Sequence, residues 1–374
     1  MKKLIAFVMA ATMALSLVAC GGNTNSTNST GSSAGSTSGN SAASGNTDVG
    51  FVTDVGNIDD HSFNQYSFEG VTNFATANNL KANYFRPADD TDADRLDAIE
   101  QAINDGAKVV VMAGYLFAPC LAEAQQKYPD VQFLALDVSA ADLPDTASNT
   151  ALITYQEEQA GYLAGYAAVQ DGYRKLGFLG GVAVSAVVRY GYGFVQGAEA
   201  AAQELGVDVE MNYWYSGSFE ANDEIKAKMD SWYASGTEVV FACGGAIYSS
   251  AISAAEAAGS NAKIIGVDVD QSNDGEMVIT SATKSLAHSV ELALTDCMNN
   301  GWKWSETYAG KETKLGAAQD CVALPMESSK FTTFTQEKYD ELYAGLRDGS
   351  IVVDNTSDPA VHPETTRVTV DWQE

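Results

Sequence analysis

The stretch KVVVMAGYLFAPCLAEAQQKYPDVQFLALD, residues 108–137, decides the fold class. Its two ends, KVVVMAG and QFLALD, are apolar runs without alternation, and residues 117–127 between them carry a helical pattern. A strand that is apolar at every position is buried on both faces, which calls for a parallel sheet covered by helices. The same pattern extends outward. GFVTDV at Gly50 reads as a buried strand, and residues 62–79 and 93–105 read as helices. It then recurs, with strands KLGFLGG from Lys175, EVVFACGG from Glu238 and KIIGVDVD from Lys263, and helices over 188–205, 220–234 and 247–258. The body is therefore two α/β units in tandem. In such sheets ligands sit beyond the carboxyl ends of the strands, which points to Asp54, Gly114, Asp137, Gly244 and Asp268. Later residues are less regular: 286–300 and 336–348 read as helices and CVALP from Cys321 as a strand.

Composition narrows the function. Lys2 and Lys3 precede an apolar run over residues 4–18, too short to span a bilayer comfortably and suited to an export signal. The run ends in LVAC, with small residues before Cys20 as in a bacterial lipobox, so Cys20 is the expected lipidation site. Residues 23–47 hold only Asn, Ser, Thr, Gly and Ala, a composition expected to form a flexible tether. GSSAG at Gly31 matches the hydrolase elbow pattern but lacks the strand-turn-helix context that the pattern needs. The formal charge of −28 argues against nucleic acid as a partner. The remaining cysteines, Cys120, Cys243, Cys297 and Cys321, form no C-x-x-C, and Cys243 lies in an apolar strand as a small hydrophobe. His61, His288 and His362 form no H-E-x-x-H and no readable triad, and Asp59-Asp60 lacks the spacing of a calcium hand. No catalytic residue, metal or cofactor is expected. A G-x-x-x-x-G-K-[ST] loop is also missing from the sequence.

The densest polar motif is TDVGNIDDHSFNQ, residues 53–65. Asp54 ends a strand. Ser62 and Gln65 have the spacing of a capping box, which would present Phe63 and Asn64 in the first helical turn. Asp59 and Asp60 then shape and cap the turn before it. Gly244 and Gly245 close an apolar strand, where glycine serves either a close backbone approach to a ligand or a tight turn. GYGFVQG from Gly191 misses the dinucleotide fingerprint by one residue and reads as helix packing; Arg189 before it faces either the cleft or a surface acid.

TDVGNIDDHSFNQYSFEG resembles the opening of the basic membrane protein (BMP) family, PnrA-like substrate-binding lipoproteins of ABC transporters. EEQAGYLAGYAAV from Glu157, KLGFLGG, VVRYGYGFVQGAE from Val187, SGTEVVFACGGA from Ser235 and GVDVDQS from Gly266 are similar to that family's later blocks. His61 and Asn57 depart from it, standing where lysine and glycine are common. The resemblance implies a type I periplasmic-binding-protein fold, α/β, with two Rossmann-like lobes of parallel sheet joined by a multi-strand hinge. It divides the chain into a signal peptide (1–19), a lipidated tether (20–47), a first lobe (48–155 plus about 285–325) and a second lobe (156–284 plus about 326–374). It implies a membrane-anchored, monomeric receptor that delivers a purine nucleoside to permease and ATPase subunits. It carries ligand contacts onto Asp54, Phe63, Asn64, Asp137, Phe219, Gly244, Gly245, Asp268 and Lys284. A flavin or sugar-like ligand in the same fold, and an extracellular nucleoside-processing enzyme, are the alternatives.

Overall fold

The computed structural model describes residues 46–54 and 56–373. The expected signal peptide, Cys20 and nearly all of the tether lie outside the described residues. Thr47, the last tether residue, is already packed, with its N–H donating to the Asp105 carbonyl at 3.3 Å.

The chain runs β1 (Val49–Val52), α1 (Phe63–Ala77), β2 (Ala82–Phe85), α2 (Asp92–Asn104), β3 (Val109–Ala113), α3 (Ala118–Lys127), β4 (Gln132–Leu136) and β5 (Thr150–Tyr155). It continues through α4 (Glu157–Gln170), β6 (Lys175–Gly180), α5 (Ser185–Leu205), β7 (Val209–Tyr215), α6 (Asp223–Ala234), β8 (Val239–Cys243), α7 (Ile247–Ala258), β9 (Lys263–Asp268) and β10 (Val278–Lys284). The last elements are α8 (Leu286–Asn299), β11 (Lys311–Leu315), β12 (Val322–Ala323), α9 (Gln336–Asp348) and β13 (Val368–Gln373). Two sheets result. The six-stranded sheet has the order β11-β5-β4-β3-β1-β2 and the seven-stranded sheet β12-β10-β9-β8-β6-β7-β13. Pairing is parallel throughout except for β12, which runs antiparallel to β10. The central strands β3, β4 and β8 are buried at every position, as continuous apolar runs require.

Among the described residues the chain passes between the sheets three times: at Gln156, at Ser285 and over 316–321. The last passage comes a few residues before the boundary expected near 325, because Val322 and Ala323 already pair with β10. The three passages are bonded together. Gln156 N–H donates to the Leu315 carbonyl at 2.9 Å, Ser285 N–H to the Cys321 carbonyl at 2.9 Å, and Ala317 N–H to Gln159 Oε1 at 2.8 Å.

GYGFVQG has the packing role expected of it. Gly161 and Gly165 on α4 face α5, and Gly193 and Gly197 on α5 face α4. A Cβ on Gly193 would lie 2.0 Å from the Glu158 carbonyl oxygen, so only glycine allows the two backbones to come this close. That contact fixes α4, whose first residue is Glu157, against the helix that carries Arg189.

Candidate functional site

The carboxyl ends of both sheets open onto one cavity of about 400 Å³. Corresponding strands supply corresponding groups. Gly114 follows β3 with φ 113°, and Gly244 follows β8 with φ 152°. Asp137 follows β4 with φ 58°, and Asp268 ends β9 with φ 65°. A non-glycine residue in the left-handed region is uncommon, although Asp tolerates it better than most, and His61, Asn79, Trp302 and Asp320 share it outside the cavity lining. All nine residues expected to meet a ligand line the cavity: Asp54, Phe63, Asn64, Asp137, Phe219, Gly244, Gly245, Asp268 and Lys284. Tyr115, Tyr190, Arg86 and Glu220 line it too and were not anticipated.

The loop before α1 is built differently from the expected capping box. Ser62 makes no capping bond with its side chain. Instead the Asp60 carboxylate accepts the N–H groups of Ser62, Asn64 and Gln65 at 2.9, 3.0 and 3.0 Å. A carboxylate is a stronger acceptor than a hydroxyl and also favours the positive end of the helix dipole. Gln65 Oε1 accepts from His61 N–H instead of reaching back to Ser62. Ser62 Oγ is thereby released and donates to Asp268 Oδ2 of the other lobe at 2.6 Å. The Asn64 amide nitrogen donates to Asp54 Oδ1 at 2.9 Å and Asp60 Oδ2 at 3.0 Å, and Gly56 N–H donates to Asp54 Oδ1 at 2.7 Å. Asp54 therefore spends one oxygen on the loop. Burial raises its pKa to about 6, against the pull of these donors.

At the seam between the lobes sits Lys284, with its side chain 2% exposed. Its Nζ lies 2.7 Å from Asp137 Oδ2 of the first lobe, 3.0 Å from Glu157 Oε1 and 3.9 Å from Asp268 Oδ1 of the second lobe. The rings of Phe63, Tyr155 and Tyr190 surround it at 4.9, 5.0 and 5.5 Å from their centroids. Burial works against the charge on Lys284, but the three carboxylates overcome it and raise its pKa. Asp137 is pushed up to about 6 by burial, opposed by Lys284, and its Oδ1 is a buried acceptor with no hydrogen bond. Burial likewise raises Asp268, against Lys284 and Ser62. Arg189 faces neither the cleft nor a surface acid: its Nε donates at 2.7 Å to Oε2 of Glu157, which is fully buried. The polar chemistry of the cavity is thus rich in acceptors, with flat aromatic surface from Phe63 on α1 and Phe219 before α6. Among the described residues no group of three His, Cys, Asp or Glu side chains is arranged to hold a metal ion. No described helix is long and apolar enough to cross a membrane.

Two parallel α/β lobes with a shared cavity at their strand ends are the fold of solute-binding proteins of ABC transporters, and also of lac repressor. The chain belongs to the Bmp family, described as ABC transporter substrate-binding protein PnrA-like, whose model matches residues 47–347. A CD4+ T-cell-stimulating antigen of Listeria monocytogenes is 28% identical over 323 residues, covering 82% of this chain and 87% of the relative. The ABC transporter nucleoside-binding protein BmpA of Lactococcus lactis subsp. cremoris is 29% identical over 231 residues, covering 59% of this chain and 63% of its own length. Among solved structures, an ABC transporter solute-binding protein from Aeropyrum pernix K1 shares the fold with a TM-score of 0.67 at 22% identity, over 83% of this chain and 88% of that one. One from Conexibacter woesei shares it with a TM-score of 0.62 at 19% identity, over 82% and 99%. Proteins of this class act outside the cytoplasm and work with permease and ATPase components, which points away from an enzyme.

Proposed function

We propose that this protein is a lipid-anchored extracytoplasmic receptor that holds a purine nucleoside between its lobes and delivers it to an ABC permease. The observation that carries this reading is the pairing of surfaces in one cavity. Phe63 comes from one lobe and Phe219 from the other, and the strand-end carboxylates Asp54, Asp137 and Asp268 surround them. A flat base meets aromatic rings favourably. Base N–H groups and ribose hydroxyls supply the donors that unpaired buried acceptors such as Asp137 Oδ1 require. Lys284 can donate to a base or ribose oxygen. The Lactococcus relative is a nucleoside-binding protein by name, which supports the same ligand class.

Calorimetry of the purified protein with guanosine, inosine and adenosine tests this, together with mass spectrometry of any ligand released on denaturation. Stoichiometric binding of a purine nucleoside without product formation is expected. A released flavin or sugar, with no heat from any nucleoside, would overturn the ligand assignment. Turnover of the nucleoside would instead make the protein an enzyme. Lipidation is tested by Cys20→Ala, which should move the protein from the membrane fraction to the medium, and a light-scattering mass equal to one chain tests the monomer.

A further inference from the structure

Lys284 is the last residue of β10, one position before the chain crosses at Ser285, and Glu157 opens α4, one position after the crossing at Gln156. Glu157 and Arg189 do not line the cavity. Glu157 Oε1 nevertheless lies 3.0 Å from Nζ, an ion-pair contact without hydrogen-bond geometry, while its other oxygen is held by Arg189 at 2.7 Å. The α4–α5 contact through Gly193 places these two side chains on apposed helices. An ammonium on a flexible four-carbon stem has no preferred direction of its own. Between Asp137 and Asp268 alone, it would follow whichever aspartate a ligand left free. Glu157 gives it a third, fixed partner that no ligand can reach.

We propose that Glu157, held by Arg189, is a positioning residue for ligand recognition: it fixes the Lys284 ammonium where the two lobes meet and so sets the charge that Asp137 and Asp268 present to the ligand. The affinity part of this inference rests on the nucleoside reading; the charge part does not. The groups that bear on Asp137 are Lys284 from β10, Glu157 from α4, Arg189 from α5, Tyr155 from β5 and Cys243 from β8, with Tyr190 also on α5. Lys284 and Arg189 lower the proton affinity of Asp137, and Glu157 raises it.

The two partners therefore have opposite signatures. The experiment is a carboxyl ¹³C NMR titration of Asp137 in the ligand-free full chain, with the signal assigned through Asp137→Asn. Glu157→Gln should shift the Asp137 midpoint down by roughly half a pH unit or more, and Arg189→Gln should shift it up. Glu157→Asp retains the charge and should hold the midpoint near that of the natural chain. In parallel calorimetry, each glutamine variant should lose roughly tenfold in guanosine affinity. If Glu157→Gln does not fold, the upward shift in Arg189→Gln decides. Midpoints that stay in place, or that move in the same direction in both variants, overturn the inference. If the natural chain binds no nucleoside, the ligand assignment fails while the titration still decides the positioning role.

Discussion

Replacing Lys284 by methionine removes the ammonium that sits among Asp137, Glu157 and Asp268 at the seam, with Arg189 still on Glu157, while keeping much of the side-chain volume. The ammonium has two carboxylate oxygens within 3.0 Å and a side chain only 2% exposed. Removing one member of such a buried pair leaves the other uncompensated, which costs about 3–5 kcal/mol. The loss should depend on pH in a defined direction. Asp137 has its midpoint near 6 with Lys284 present, above its ordinary 3.8, and Lys284 is what restrains it. Without Lys284 the midpoint climbs further. At pH 7.5 the variant then carries a buried carboxylate without a partner, or must take up a proton to fold. Below pH 6 the carboxyl group is protonated in the native state at little further cost, and part of the deficit disappears. Urea denaturation of the natural chain and Lys284→Met at pH 7.5 and pH 5 measures both quantities. A deficit below about 1 kcal/mol at pH 7.5, or one of the same size at both pH values, would refute the idea that paired buried charge organises the seam.

Three further outcomes are expected. Gly193→Ala brings a methyl group to 2.0 Å from the Glu158 carbonyl oxygen and should destabilise the protein by about 1–3 kcal/mol in urea, since two helix backbones must separate. Phe63→Ala and Phe219→Ala should each weaken nucleoside binding roughly tenfold in calorimetry with little change in melting temperature; equal losses of both would favour a packing role. Nucleoside affinity should fall between pH 7 and pH 5, because Asp54 and Asp137 take up protons near pH 6 and lose their strength as acceptors. Their effect on ligand-free stability has the opposite sign. Their native midpoints lie above the unfolded value of 3.8, so the native state binds more protons between about pH 4 and 6, and these two groups stabilise it as pH falls through that window.

The strands β3, β4 and β8 were legible because burial on both faces leaves little room for polar residues, Gln132 at the start of β4 being the exception. The internal strands β5, buried at every position, and β7 were passed over as well, and the other strands missed have a different environment. β2 and β11 lie at the edges of the first sheet and carry exposed polar residues, and β13 lies at the edge of the second. β10, VITSATK, is buried, yet it is rich in small hydroxyl residues whose partners come from distant chain, such as Thr280 with Ser329. The cavity-lining residues were legible where they end strands or open a helix, and the family resemblance supplied Phe219 and Lys284. Asp60, not Ser62, caps α1, since nothing local reveals that Ser62 has a better use 206 residues away on Asp268. Glu157 was legible only as a member of a similar block, and Arg189 was singled out but read as facing the cleft or a surface acid. Their pairing depends on the approach of two helices, which no local pattern encodes beyond the glycine spacing itself.

The interleaved path of the chain has a consequence for how the protein is made. The first sheet lacks its edge strand β11, and α1 lacks its cover α8, until the whole of the second lobe's central sheet has been synthesised. The second sheet in turn waits for β12 and β13, the last strand of the described chain. A nascent chain that emerges amino end first therefore holds an unfinished first lobe, with the apolar face of α1 uncovered, for most of its synthesis. Contacts between residues so far apart are slow to form and leave incomplete species open to aggregation. The first lobe is complete once β11 arrives and the second only with β13, so a truncation beyond β11 should leave the second lobe unfinished while the first can close.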